Sequence, residues 1–220
     1  MKTRRQFGLL AASALAAPNI ALGDTMCGAP LQGVRACTTG VQDVPIVTQD
    51  CPQWCWAACA ELLFKLQGYT VPQQRFVQKV HGGMLNCQPA VGPTIAGAIS
   101  GSWIDAGGKA FHARAEPIMD LNRFPQITHP SPMDVVQAEL DANRAVIAGT
   151  LGHAIAITAL EYYENSFGQR QLQNVIIRDP FPYSSVGQIP PYFNQMGPNK
   201  FAMTTQQFFG GSLLMTVKFS

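Results

Sequence analysis

Charge is scarce in this sequence: Asp, Glu, Lys and Arg make up 13% of its 220 residues, against 47% apolar ones. That balance excludes an intrinsically disordered chain, because so much apolar surface with so little self-repulsion collapses. No block of Lys or Arg interrupts the body of the chain and the net charge is only +2, so nucleic acid is not an expected partner. Beyond the first few dozen residues no apolar run approaches the roughly 18 needed to span a bilayer, so no membrane insertion is expected of the body. There is no Cys-x-x-Cys pair, and His81 is the one histidine of four near the cysteines. A structural zinc site is therefore unsupported, and neither metal nor cofactor is called for. Internal repeats are also missing. The length suits one domain, at most two small ones.

The first 23 residues read as an export signal. Lys2, Arg4 and Arg5 form a positive start, Gly8 to Ala17 an uncharged apolar stretch, and Ala21-Leu22-Gly23 a small-residue cleavage site. The run Thr3-Arg4-Arg5-Gln6-Phe7-Gly8-Leu9 resembles a twin-arginine signal, with Gly8 where a Leu is common. Cleavage after Gly23 removes three basic residues and no acidic one, taking the charge from +2 to −1. The expected location is periplasmic, or secreted from a bacterium. Such compartments favour disulfides, and all six cysteines follow the signal, at Cys27, Cys37, Cys51, Cys55, Cys59 and Cys87. Two bridges and two thiols are expected if one cysteine is a nucleophile. Cys27 and Cys37 are expected to staple residues 24–44, an irregular Gly/Thr/Pro-rich segment; Cys51 and Cys59 both remain candidates for Cys87.

From residue 45 onward the sequence orders helices before strands. Trp56, Cys59, Ala60, Leu63, Phe64 and Leu66 follow helical spacing, and Gly68 sits where a helix ends. A second helix is predicted from Pro72 to His81, stopped by Gly82-Gly83, and a third from Pro93 to Ile104. Ser131-Pro132-Met133-Asp134 opens a fourth, reaching Asn143. Residues 145–149 and 153–160 read as strands, and Asn165-Ser166-Phe167-Gly168 as a hairpin loop. Val175 to Ile177 form the return strand, stopped at Asp179-Pro180, and a last strand is predicted near Leu213 to Phe219. The fold class is α+β, with a mostly antiparallel sheet and two lobes.

One group of residues carries chemistry. Cys55 opens the first helix, where unpaired N–H groups and the positive end of the dipole favour a thiolate. Such a nucleophile needs a base, and His153 alone among the histidines heads a strand with a fixed backbone. His81, His112 and His129 read as loop or helix-end residues. The imidazole in turn needs an acceptor for its second nitrogen, and Asp179 ends the return strand of the same hairpin. Trp54 and Trp56 read as packing around the helix start.

Gln49, six residues before Cys55 in the pattern Gln-x-x-x-x-Trp-Cys-Trp-Ala-Ala, resembles the papain-like cysteine peptidases. The closest likeness is to their compact bacterial branch, which includes secreted effector proteases and is related in fold to bacteriocin-leader peptidases. Gly152-His153-Ala154-Ile155 and Asp179-Pro180 match that branch's His and Asp positions, and the likeness covers residues 45 to 182. The 98 residues from Cys55 to His153 are fewer than the roughly 130 of plant and lysosomal members. The usual Cys-Gly-Ser/Ala-Cys-Trp run is replaced here by Cys51-Pro52-Gln53-Trp54-Cys55-Trp56.

The resemblance implies a helical lobe carrying Cys55 and a C-terminal sheet lobe carrying His153 and Asp179. It implies attack by Cys55 on a peptide carbonyl, proton transfer by His153, orientation by Asp179, and an oxyanion held by Gln49 and the Cys55 N–H. It also favours Cys51 over Cys59 as the partner of Cys87. The substrate is then a protein or peptide. An amidase or acyltransferase working on cell-wall or isopeptide amides uses the same residues, and a binding module on an inactivated scaffold is the third class.

Overall fold

The structure, a computed structural model, describes residues 24–82, 87–121, 126–127, 131–150, 152–182, 194–208 and 211–220. The export-signal reading of residues 1–23, and His129, lie outside them.

Five helices and eleven strands are described. In chain order they are β1 (Asp24–Cys27), β2 (Val34–Gly40), α1 (Cys55–Leu66), α2 (Gln73–His81), α3 (Gly92–Ile99), β3 (Gly101–Ile104), β4 (Ala110–Asp120) and β5 (Gln126–Ile127). There follow α4 (Pro132–Asp141), β6 (Val146–Thr150), β7 (His153–Asn165), β8 (Arg170–Arg178), β9 (Asn194–Gly197), β10 (Lys200–Thr204), α5 (Thr205–Phe208) and β11 (Gly211–Phe219). The fold is α+β, and every described strand pairing is antiparallel. The order across the sheet is β3-β4-β11-β6-β7-β8-β10-β9. β7 is long enough to pair β6 through residues 153–157 and β2 through residues 159–165.

Alternation along the central strands explains why the sheet is covered on both sides. On β7, Ala154 and Ala156 join the core beneath α1–α3, while Ile155 and Ile157 join a second core beneath α4. On β11, Met215 faces the first core and Leu214 the second. Strands buried on both faces read as continuous apolar runs, which is how β6 and β7 appear in the sequence. The alanines on the α1 side are small, so α1 lies close to β7 and brings its first residue to the head of that strand.

The first core is organised around Phe64 of α1. Its ring meets Phe76, Trp103, Phe111 and Phe219 edge-on at centroid distances of 5.0–5.5 Å. Edge-to-face pairs add to the burial of the rings themselves. Phe64→Ala is expected to destabilise the fold by about 3–5 kcal/mol, read from chemical denaturation.

The helix punctuation matches expectation where it is chemically strict. Gly68 (φ +76°) follows α1, and Gly82 ends α2 at φ +64°, a left-handed conformation that glycine adopts without strain. Three expectations are corrected. Residues 24–44 are not irregular throughout: β1 and β2 form a hairpin, and β2 extends the sheet beside β7. Its weak local signal is outweighed by the pairing that β7 offers, and Cys37, Thr39 and Val41 are buried there. The third helix stops at Ile99 because Ser100 is extended and Gly101 has φ +128°. The chain then enters β3, whose buried Trp103 donates its indole N–H to the Ile99 carbonyl at 2.8 Å. His112 lies in strand β4, not in a loop, and the β9–β10 hairpin had no expectation at all.

Candidate active site

Cys55 is the first residue of α1, and no side chain caps that helix terminus. In that first turn the Trp56 N–H bonds the Cys55 sulfur. β7 begins at His153, immediately after Gly152, and the hairpin pairs Ala156 with Arg178. Asp179, one residue past β8, thus returns beside His153. The ring and the carboxylate meet at 2.6 Å between Nε2 and Oδ1, and Asp179 is completely buried.

With Nε2 engaged by Asp179, the second ring nitrogen is left for Cys55. The sulfur also accepts the Ala154 N–H at 3.4 Å. Burial alone would push the Cys55 thiol up; the hydrogen bond and positive charge of His153, with the Ala154 and Trp56 N–H groups, overcome it and bring the thiol below its ordinary value. Burial would correspondingly depress His153, yet the hydrogen bonds and negative charges of Asp179 and Cys55 raise it to about 10. Together these favour thiolate and imidazolium, a pair that can attack a carbonyl and then protonate its leaving group.

Phe181 steadies the carboxylate. Its N–H donates to Asp179 Oδ1 at 2.9 Å, and its ring stands edge-on to the imidazole with centroids 6.4 Å apart. The Asp179 N–H donates to the Asn199 carbonyl in the β9–β10 turn at 3.0 Å. Neither Phe181 nor Asn199 was marked in the sequence; only the position of Phe181, two residues after Asp179, could have suggested it.

Gln49 lies in the irregular stretch before α1 and is 7% exposed. Its side-chain amide donates to the carbonyls of Cys51 at 3.1 Å and Pro52 at 2.9 Å, while its buried Oε1 has no partner among the described residues. Its backbone N–H donates to the Pro180 carbonyl at 2.9 Å, which ties it to the Asp179 turn. Cys55, His153 and Asp179 thus form one contact chain, and Gln49 is fastened to the same two segments.

The cysteines divide into two bridges and two thiols. Cys27 joins Cys37 across the β1–β2 pair, and Cys51 joins Cys87. Cys55 and Cys59 remain free and buried. Cys59 is one turn below Cys55, and burial, followed by the nearby negative charges of Cys55 and Asp179, pushes its thiol well up. It is a packing thiol. Trp54 and Trp56 both belong to the first core.

Among the described residues no cluster of His, Cys, Asp or Glu could hold a metal ion, and no helix is long and apolar enough to cross a membrane. A family model described as the Peptidase_C39 like family matches residues 41–207, well over half of the chain. No curated protein matches the sequence.

Proposed function

This chain belongs to the Peptidase_C39 like family, a family of cysteine peptidases, and from that premise we propose that it is an exported peptidase working through a Cys55–His153–Asp179 triad. The observation that carries the reading is the chain of contacts from a helix-opening thiol through an imidazole to a fully buried carboxylate. Cys55 attacks the carbonyl carbon as thiolate. His153 gives its proton to the departing amine, leaving a thioester, and then takes a proton from water as the water displaces the sulfur. Asp179 holds the ring in one orientation throughout. We read the architecture as papain-like, with Cys55 on the helical side of a cleft and His153 and Asp179 on the sheet side. The two disulfides are compatible with an oxidising compartment.

Gln49 and the Cys55 N–H are the proposed oxyanion donors. One Gln49 amide N–H must then turn from a backbone carbonyl to the oxyanion. The Cys51 carbonyl is the cheaper one to release, because it keeps the Trp54 N–H at 3.0 Å.

Treatment at pH 6 with an epoxysuccinyl peptide, followed by mass mapping, is expected to label Cys55 and leave Cys59 unmodified. Absence of label from Cys55 under reducing conditions rejects the enzyme reading. The labelled protein class then separates by substrate: cleavage of unfolded proteins supports the peptidase, whereas cleavage of cell-wall peptides or isopeptides alone supports the amidase alternative.

A further inference from the structure

Residues 41–54 contain neither helix nor strand, yet Gln49 must be aimed within a fraction of an ångström to serve an oxyanion. Something other than regular secondary structure has to hold it. Gln73, the first residue of α2, is 1% exposed, an unusual place for an amide. Its three described side-chain hydrogen bonds are all directed at this segment and at α1. Its Oε1 accepts the Asp50 N–H at 2.9 Å. Its Nε2 donates to the Thr48 carbonyl and to Glu61 Oε2, each at 2.9 Å.

The two backbone bonds bracket Gln49. They reach the carbonyl before it and the N–H after it, much as a neighbouring strand would. The third bond reaches Glu61 on α1, the helix that begins with Cys55, and Glu61 is itself anchored by Lys65 at 2.7 Å. The bracket therefore fixes the Gln49 segment relative to the helix that carries the sulfur. The opposite side is held by the Gln49 N–H to the Pro180 carbonyl, and by the Asn199 amide to the Val47 carbonyl and Thr48 hydroxyl at 3.4 Å each.

We propose that Gln73 is a positioning residue that sets the Gln49 amide against Cys55, and so governs oxyanion stabilisation without touching substrate. The inference rests on the reading of Gln49 as an oxyanion donor. It assigns Gln73 no part in forming the thiolate, since its contacts avoid His153 and Asp179.

Two reactions of Cys55 separate these roles. Acylation by 4-nitrophenyl acetate, followed as the burst of 4-nitrophenolate, develops an oxyanion; alkylation by iodoacetamide needs only the thiolate. Gln49→Ala is expected to slow acylation by on the order of 10² and leave alkylation unchanged. Gln73→Met, which keeps length and removes the amide, is expected to slow acylation by about 10-fold or more, again with normal alkylation, since small displacements at a reacting centre are costly. In the Gln49→Ala background the Gln73→Met change should add less than 2-fold, because the two act through one group. Glu61→Ala, which leaves the buried amide in place, should give the same pattern with a smaller loss and covers the case in which Gln73→Met does not fold. Normal acylation by Gln49→Ala overturns the oxyanion reading and, with it, the inference. A slow Gln49→Ala protein combined with normal acylation by Gln73→Met, or by Glu61→Ala where Gln73→Met does not fold, overturns the inference alone. So does a loss that is equal in both backgrounds, or one that appears equally in alkylation.

Discussion

Cys55→Ala is expected to lower peptide hydrolysis by on the order of 10⁵–10⁶, to the background of the assay. The loss should be this complete because no second thiol can substitute. Cys59 is fully enclosed one turn further along α1, its thiol is pushed well above the ordinary range, and it has no imidazole beside it among the described contacts. The substitution should cost little stability. It removes one sulfur from a 9% exposed site and leaves His153 its bond to Asp179. The melting temperature should therefore stay within a few degrees of wild type while activity vanishes. Full activity of the purified Cys55→Ala protein rejects the nucleophile assignment. A wild-type protein equally inactive on peptide, cell-wall and isopeptide substrates would instead support a binding module on an inactivated scaffold.

The residues of this site were more legible in the sequence than the frame that holds them. Cys55 was visible because local signals coincide there: a helical period begins, two tryptophans flank the thiol, and Gln49 stands six residues before it. His153 and Asp179 could be paired because an apolar alternation on either side of Asn165-Ser166-Phe167-Gly168 implies a hairpin, and hairpin register brings the two strand ends together. The β1–β2 hairpin was not legible, since β2, which ends in Thr38-Thr39-Gly40, depends on pairing with β7, more than a hundred residues away. Gln73 left no signal either. A glutamine at a helix start reads as solvated, and only the tertiary approach of residues 48–50 and Glu61 turns it into a buried bracket. The same limit applies to Phe181 and Asn199, whose contacts with Asp179 are made largely by their backbones.

His153→Gln should produce the second large loss, on the order of 10⁴ in turnover or more, with a distinctive signature at the thiol. Glutamine can still donate an amide N–H toward Asp179, so the carboxylate is not left buried without its side-chain partner, but it carries no positive charge and transfers no proton. Burial then acts on Cys55 with only the Ala154 and Trp56 N–H groups opposing it. The thiol moves upward, and alkylation by iodoacetamide at pH 6 should fall by roughly 10³. Equal alkylation rates in wild type and His153→Gln at pH 6 overturn the ion pair. Stability should carry the same imprint. Between the ordinary imidazole value of 6.5 and the ordinary thiol value of 9.0, the unfolded chain holds one proton on the Cys55–His153 pair, as the folded thiolate–imidazolium does, so the pair contributes no pH slope. Above 9.0 the unfolded pair has lost both protons while folded His153 keeps its own up to about 10. The folded state then binds more protons, and stability falls as pH rises through that interval. His153→Gln keeps a fall of its own, because its raised Cys55 thiol holds a proton that the unfolded chain loses above 9.0. Only the double variant Cys55→Ala/His153→Gln, in which neither group titrates, should lose that component, which urea titrations at pH 8.5, 9.5 and 10.5 would measure.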